Sequence, residues 1–177
     1  ERWTAQQVLD AVRPRSSSSR DALSSIEDLD LTSVRPGISY YKLRDLLAAK
    51  KWKEADRETA ERMWEVMGRQ EEQWLRVEDI KKFPCKDLKI IDKLWVHYSQ
   101  GKFGFSVQKK IWEECGSPTG YNDDWERFGE RVGWRSGGSW MSYSRVVVGP
   151  MASLPFWVEL GGMDRGVLFS RATTCKL

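Results

Sequence analysis

The chain of 177 residues has one histidine, His97, and three cysteines, Cys85, Cys115 and Cys175. Metal-binding side chains so few and so scattered exclude a zinc site built from grouped Cys and His. The cysteines are odd in number, widely spaced and form no CxxC, which suits a reducing compartment and buried small apolar roles for all three. No apolar run approaches the roughly 20 residues a membrane-spanning helix needs, and no signal-type apolar segment is seen. The patterns GxxxxGK[ST], GxGxxG and GxSxG are missing, which removes the usual phosphate-loop, dinucleotide and hydrolase readings. A dominant charge sign is missing too. Lys and Arg number 29 against 26 Asp and Glu, a net charge of +3, and the two signs alternate, so there is no concentrated basic stripe for nucleic acid. The acidic pairs Glu113-Glu114 and Asp123-Asp124 fall at expected helix ends, and for Asp123-Asp124, at a helix start, the dipole accounts for the charge. His97 reads as a helix-terminal residue rather than a base or ligand. Nothing nominates an enzyme.

What is present in excess is tryptophan, ten in all. Some must fill core volume, but ten leave several to line a pocket or an interface. Residues 1–38 read as a flexible serine-rich leader: RPRSSSSRDALSS and the Pro36-Gly37 breaker offer little apolar surface to offset ordering entropy. Residues 39–177 read as the folded unit. Ser39 is placed to cap a helix carrying Leu43, Leu46 and Leu47. Trp52, Ala55, Thr59, Met63 and Met67 recur at spacings of three and four up to a stop at Gly68, with Lys53, Glu54, Arg57, Glu58, Glu61 and Arg62 as a solvated face. Pro84 suits a first helical turn before Leu88, Ile91, Leu94 and Trp95. Ser106 is placed to cap a helix with Val107, Ile111 and Cys115, and Asp123 or Asp124 starts one with Trp125, Phe128 and Val132. After Gly133 the period dissolves as far as Gly162, among glycines, prolines, Trp140, Tyr143, Met151, Leu154, Phe156 and Trp157. The fold class is therefore mainly α: a single compact helical domain with a long aromatic-rich loop near the C-terminus, of a length that is usually functional or disordered.

The most informative stretch is WVHYSQGKFGFSVQKKIW, Trp95 to Trp112. Gly104 between Phe103 and Phe105 permits a tight turn and leaves no Cβ in the way of a flat ligand. Lys102, Lys109 and Lys110 could meet an acidic rim on that ligand. A large apolar plane with carboxylates at its edge satisfies both. Because the residues alternate, one ring is expected to point inward and the other outward; the alternative is that both are core.

WLRVEDIKKFPCKDLKIIDKLW (Trp74–Trp95), YSQGKFGFSVQKKIW (Tyr98–Trp112), WERFGERVGWR (Trp125–Arg135), W-x-S-Y (Trp140–Tyr143) and GVLFSR (Gly166–Arg171) resemble the genomes-uncoupled-four family over roughly Ser39 to Leu177. The resemblance implies a cupped-hand, mainly helical fold. It implies a non-enzymatic protein that binds protoporphyrin IX and magnesium protoporphyrin IX in a greasy palm and stimulates magnesium chelatase in chlorophyll synthesis, with plastid-to-nucleus signalling as a further role. The implied partner is the large porphyrin-binding subunit of the chelatase. The implied location is the chloroplast stroma, with peripheral association with thylakoid or envelope membranes and no nucleic acid. The chain resembles the eukaryotic, plastid-targeted type with its transit peptide absent. Candidates for the palm are Leu94, Val96, Phe103 and Phe105, with Trp140, Tyr143, Phe156 and Trp157 as its cover. Candidates for the rim that meets the propionates are Lys110, Arg135 and Arg171, and no metal ligand is expected. The rival expectation is a helical adaptor that docks on a chelatase subunit through its aromatic loop.

Overall fold

The computed structural model describes residues 26–141 and 166–177, and within them the chain is mainly helical. In chain order the helices are α1 (Tyr41–Ala48), α2 (Trp52–Met67), α3 (Val77–Lys82), α4 (Cys85–Tyr98), α5 (Phe105–Glu114) and α6 (Asp123–Arg131). A two-stranded antiparallel hairpin follows, β1 (Arg135–Ser136) with β2 (Ser139–Trp140), and then α7 (Val167–Thr174). No described helix is long and apolar enough to cross a membrane.

The apolar periods account for most of this. In α2, Ala55, Thr59, Ala60, Met63 and Val66 are buried, and Gly68 ends the helix in the left-handed conformation that its lack of a Cβ permits. In α4, Leu88, Ile91, Leu94 and Trp95 form the buried stripe. Pro84 stands at the N-cap of that helix, where no backbone N–H is missed. Fully burying a side chain of this kind favours folding by about 1.5–3 kcal/mol.

Three details depart from the sequence reading. Neither expected serine cap forms. Ser39 lies in a bridge with Thr32 while Tyr40 precedes α1, and Ser106 lies inside α5, whose N-cap is Gly104. Glu58 is not solvated: it is 2% exposed and ion-paired with Lys42 of α1 and Arg62 of its own helix. Packing of α1 onto that side of α2 covers it, and a buried carboxylate persists only when paired. Cys85 and Cys175 are joined in a disulfide with Cα atoms 5.1 Å apart, so only Cys115 keeps the buried, free role expected of all three. Three-dimensional closure across 90 residues leaves no local pattern to read. In the chain-entropy model a loop of that length contributes about 4–5 kcal/mol.

The core is in two parts. The first gathers α1, α2, α4 and Phe105, and includes Ile26, Leu31 and Ile38 upstream of the expected start at Ser39. The second gathers Trp112, Cys115, Trp125, Phe128, Val132 and Trp134. Helix α7 spans both, with Val167 and Leu168 in the first part and Phe169 in the second.

Candidate functional site

Two aromatic clusters stand out. The first lies where the Phe103-Gly104-Phe105 turn meets α2 and α4. Gly104 has φ +141°, and a Cβ there would meet Val96 Cγ2 at 2.6 Å and Asp92 Oδ1 at 2.9 Å. Any other residue would strain the turn and push Val96 and Asp92 aside. Asp92, on α4, reaches across to cap the next helix: its Oδ1 accepts from the Ser106 N–H at 2.8 Å and the Ser106 hydroxyl at 3.0 Å. Burial raises the Asp92 carboxyl above the ordinary range, against the lowering effect of the Ser106 and Phe105 donors. The Phe103 N–H donates to Ser99 Oγ at 2.9 Å. Phe105 points inward and is 1% exposed, whereas Phe103 is half-buried and packs against the edge of the same core, between the two arrangements expected of the pair. The Phe103 ring stands edge-on to Trp52 at 5.6 Å and to Trp95 at 6.0 Å. Trp52 and Trp95 stack on each other at 6.2 Å, and Trp95 Nε1 donates to Thr59 Oγ1 at 2.9 Å.

The second cluster is built on α6 and the hairpin. Asn122 caps α6 by accepting from the Trp125 N–H at 2.9 Å. Trp125, Phe128, Trp134 and Phe169 follow one another at centroid distances of 5.2 to 6.3 Å. Gly137 and Gly138 turn the hairpin with φ of 57° and 80°, pairing Arg135 with Trp140. That lays Trp140 over α6 beside Trp125, with centroids 6.4 Å apart and planes 26° from parallel. Gly129 makes the approach possible, since a Cβ there would come within 2.7 Å of the Trp140 ring. Trp140 Nε1 donates to the Tyr121 hydroxyl at 3.0 Å. Unlike the rest of the cluster, Trp140 and Tyr121 are open, 40% and 61% exposed. Trp134 Nε1 is buried with no hydrogen-bond partner among the described residues.

The expected site residues are divided between these places. Leu94 and Phe105 are core. Val96 is half-buried and lies against Gly104. Arg135 is held between Glu126, at 2.8 Å, and Glu130. Arg171 donates from Nε and Nη2 to the Phe83 carbonyl at 2.9 and 2.7 Å. Of the three rim candidates only Lys110 is exposed and without an ion pair among the described residues. Tyr143, Phe156 and Trp157 lie outside the described residues, as does the whole Gly149–Gly162 loop. His97 packs edge-on against Tyr98 at 4.8 Å, and no group of three or more His, Cys, Asp or Glu able to hold a metal occurs among the described residues. Gly129, Tyr121 and the hairpin were missed by the sequence reading. The Gly137-Gly138 pair, a strong two-residue hairpin signal, was there to be read.

A model of the family described as GUN4-like matches residues 33–168. The chain belongs to the GUN4-like family. Solved GUN4 structures share the fold: that from Chlamydomonas reinhardtii has a TM-score of 0.63 at 25% identity, covering 82% of this chain and 93% of its own. The ligand-free structure of Arabidopsis thaliana GUN4 has a TM-score of 0.59 at 22% identity, covering 77% and 95%. By sequence, a Ycf53-like protein of Synechocystis is 31% identical over 133 residues, 72% of this chain and 54% of the relative. A protein of Arabidopsis thaliana described as a chloroplastic tetrapyrrole-binding protein is 31% identical over 94 residues, 52% of this chain and 33% of its own length. The chain thus spans about half the length of the Synechocystis relative. The mainly helical GUN4-like fold agrees with the sequence reading, and membership of the family carries with it the non-catalytic reading.

Proposed function

We propose that this chain binds protoporphyrin IX and magnesium protoporphyrin IX without transforming them, and that it stimulates magnesium chelatase in chlorophyll synthesis within a chloroplast. The observation that carries this reading is the open edge of the second cluster: Trp140, stacked over Gly129 and Trp125, presents ring surface to solvent beside Tyr121. Aromatic faces held in place by a hairpin and a helix suit a rigid apolar plane. Each 100 Å² of such a plane removed from water favours binding by about 2.5 kcal/mol before association costs. Among the described residues Lys110 is the rim candidate without an ion pair, and so the one proposed to meet a propionate, since Arg135 and Arg171 are already engaged. Tyr143, Phe156 and Trp157 complete the proposed cover.

This reading moves weight from Phe103 to Trp140, because the Phe103 ring is already packed on two tryptophans. Association with the large chelatase subunit and with plastid membranes, and plastid-to-nucleus signalling, belong to the same proposal. Its test is a titration of the chain with protoporphyrin IX followed by tryptophan fluorescence, and then a magnesium-insertion assay with the large chelatase subunit. Saturable quenching together with faster insertion is the expected result. Capture of the chelatase subunit without any quenching by porphyrin would overturn it in favour of the adaptor.

A further inference from the structure

The disulfide has no part in the porphyrin reading, and its placement gives it a separate role. Cys85 is the first residue of α4, and Cys175 caps the far end of α7, 90 residues away. Apart from this bond, α7 is held by the paired donors of Arg171 on the Phe83 carbonyl and by buried Val167, Leu168, Phe169 and Ala172. Just beyond its end, Lys109 donates to the Leu177 carbonyl. Helix α7, like α5 with Phe105 and Trp112, contributes to both halves of the core. The third cysteine, Cys115, is buried and free in the second half, apart from the pair.

The two sulfurs are not equivalent. Cys175 is 3% exposed, whereas Cys85 is half-buried and stands at the positive end of a 14-residue helix. A helix N-terminus stabilises a thiolate, which governs exchange at such a bond.

We propose that Cys85–Cys175 is a thiol–disulfide exchange site, a reducible staple through which a dithiol reductant controls how firmly α7 is docked. A thiolate of the reductant attacks Cys85 Sγ, forming a mixed disulfide there and expelling Cys175 as a thiolate that takes up a proton. The reductant's second thiolate then attacks its own sulfur in the mixed disulfide. That closes the reductant's disulfide and releases Cys85 as a thiolate at the α4 N-terminus. Two electrons pass from the dithiol to the protein, and two cysteine thiols replace one disulfide. Without the cross-link, α7 retains its other contacts but opens more often, loosening the joint between the two halves of the core.

The test uses the whole chain with dithiothreitol as the reductant, followed by alkylation, peptide mapping and amide exchange. In folded, air-oxidised protein, Cys85 and Cys175 should be recovered cross-linked. Dithiothreitol under native conditions should free both and speed exchange across residues 167–174 at least tenfold, leaving α2 little changed. Cys85→Ser/Cys175→Ser should show the fast pattern with or without dithiothreitol; should that variant fail to fold, the reversible change in the unaltered chain still decides. Recovery of Cys85 and Cys175 as free thiols after oxidation would overturn the proposal. Reduction that needs denaturant, or native reduction that leaves α7 exchange unchanged, would overturn it as well.

Discussion

The two aromatic clusters use the same residue types to different ends. Around Phe103, the rings of Trp52, Trp95 and Phe103 pack on one another against the first half of the core, Trp95 fully buried and bonded to Thr59, Trp52 and Phe103 half-buried. Around Trp125, the inner rings are equally well packed, but the series ends at Trp140 and Tyr121, which face solvent. A cluster packed mainly on itself and on the core holds a fold together, whereas one left open on a rigid support is available to a ligand. Both depend on a glycine that lets an aromatic segment come close. At Gly104 the constraint is backbone conformation and contact together; at Gly129 it is contact alone.

The largest effect should come from the closed cluster. Trp95→Ala removes a fully buried ring and the bond to Thr59, and should cost about 3–5 kcal/mol in denaturant unfolding. A loss below 1 kcal/mol would show that the cluster is not closed. Gly104→Ala should cost about 2–3 kcal/mol from strain and overlap with Val96. Part of that should be recovered in Gly104→Ala/Val96→Ala, where the offending methyl is gone; equal instability of both variants would place the penalty in the backbone and the Asp92 contact instead.

Asp92 offers a pH test of the same turn. Its folded-state carboxyl titrates above the ordinary range because it is buried. The folded state therefore binds the proton more tightly than the unfolded one, and stability falls as pH rises from the ordinary aspartate range, near 4, through the raised value. Asp92→Asn, which keeps an oxygen acceptor for Ser106 but cannot ionise, should flatten that slope in thermal melts taken across the range. An unchanged slope would assign it to other groups.

The smallest effect is expected at the rim. Lys110→Glu should weaken binding of protoporphyrin IX while leaving that of its dimethyl ester unchanged. Because the side chain is exposed, the loss should be about 1 kcal/mol or less in an equilibrium titration. Equal losses for acid and ester would mean that Lys110 reads no propionate.

The closed cluster was largely legible in the sequence. The period of Trp52 to Met67, the stripe from Leu88 to Trp95 and the alternation of Phe103 and Phe105 are local patterns, and local patterns survive folding. In the open cluster only the helix carrying Trp125, Phe128 and Val132 was legible, and Trp140 stood as one of a list of aromatics. What assembles the cluster is a Gly-Gly hairpin, the close approach of Trp140 to Gly129 and a bond to Tyr121, residues brought together from separate elements. The rim was harder still. Arg135 and Arg171 look like free cations in a sequence, and only tertiary structure shows that carboxylates and a carbonyl already occupy them. The same holds for Cys85 and Cys175, whose pairing spans most of the domain.

The most direct test compares porphyrin titrations of Trp140→Ala and Phe103→Ala, with affinity expressed per folded molecule. The account predicts that Trp140→Ala keeps its melting temperature within a few degrees and loses about tenfold or more in affinity for protoporphyrin IX, roughly 1.4 kcal/mol. Phe103→Ala should instead lose about 1–2 kcal/mol of stability and bind porphyrin nearly as well as the unaltered chain. Full affinity in Trp140→Ala, with binding lost in a well-folded Phe103→Ala, would contradict it and place the ligand at the first cluster.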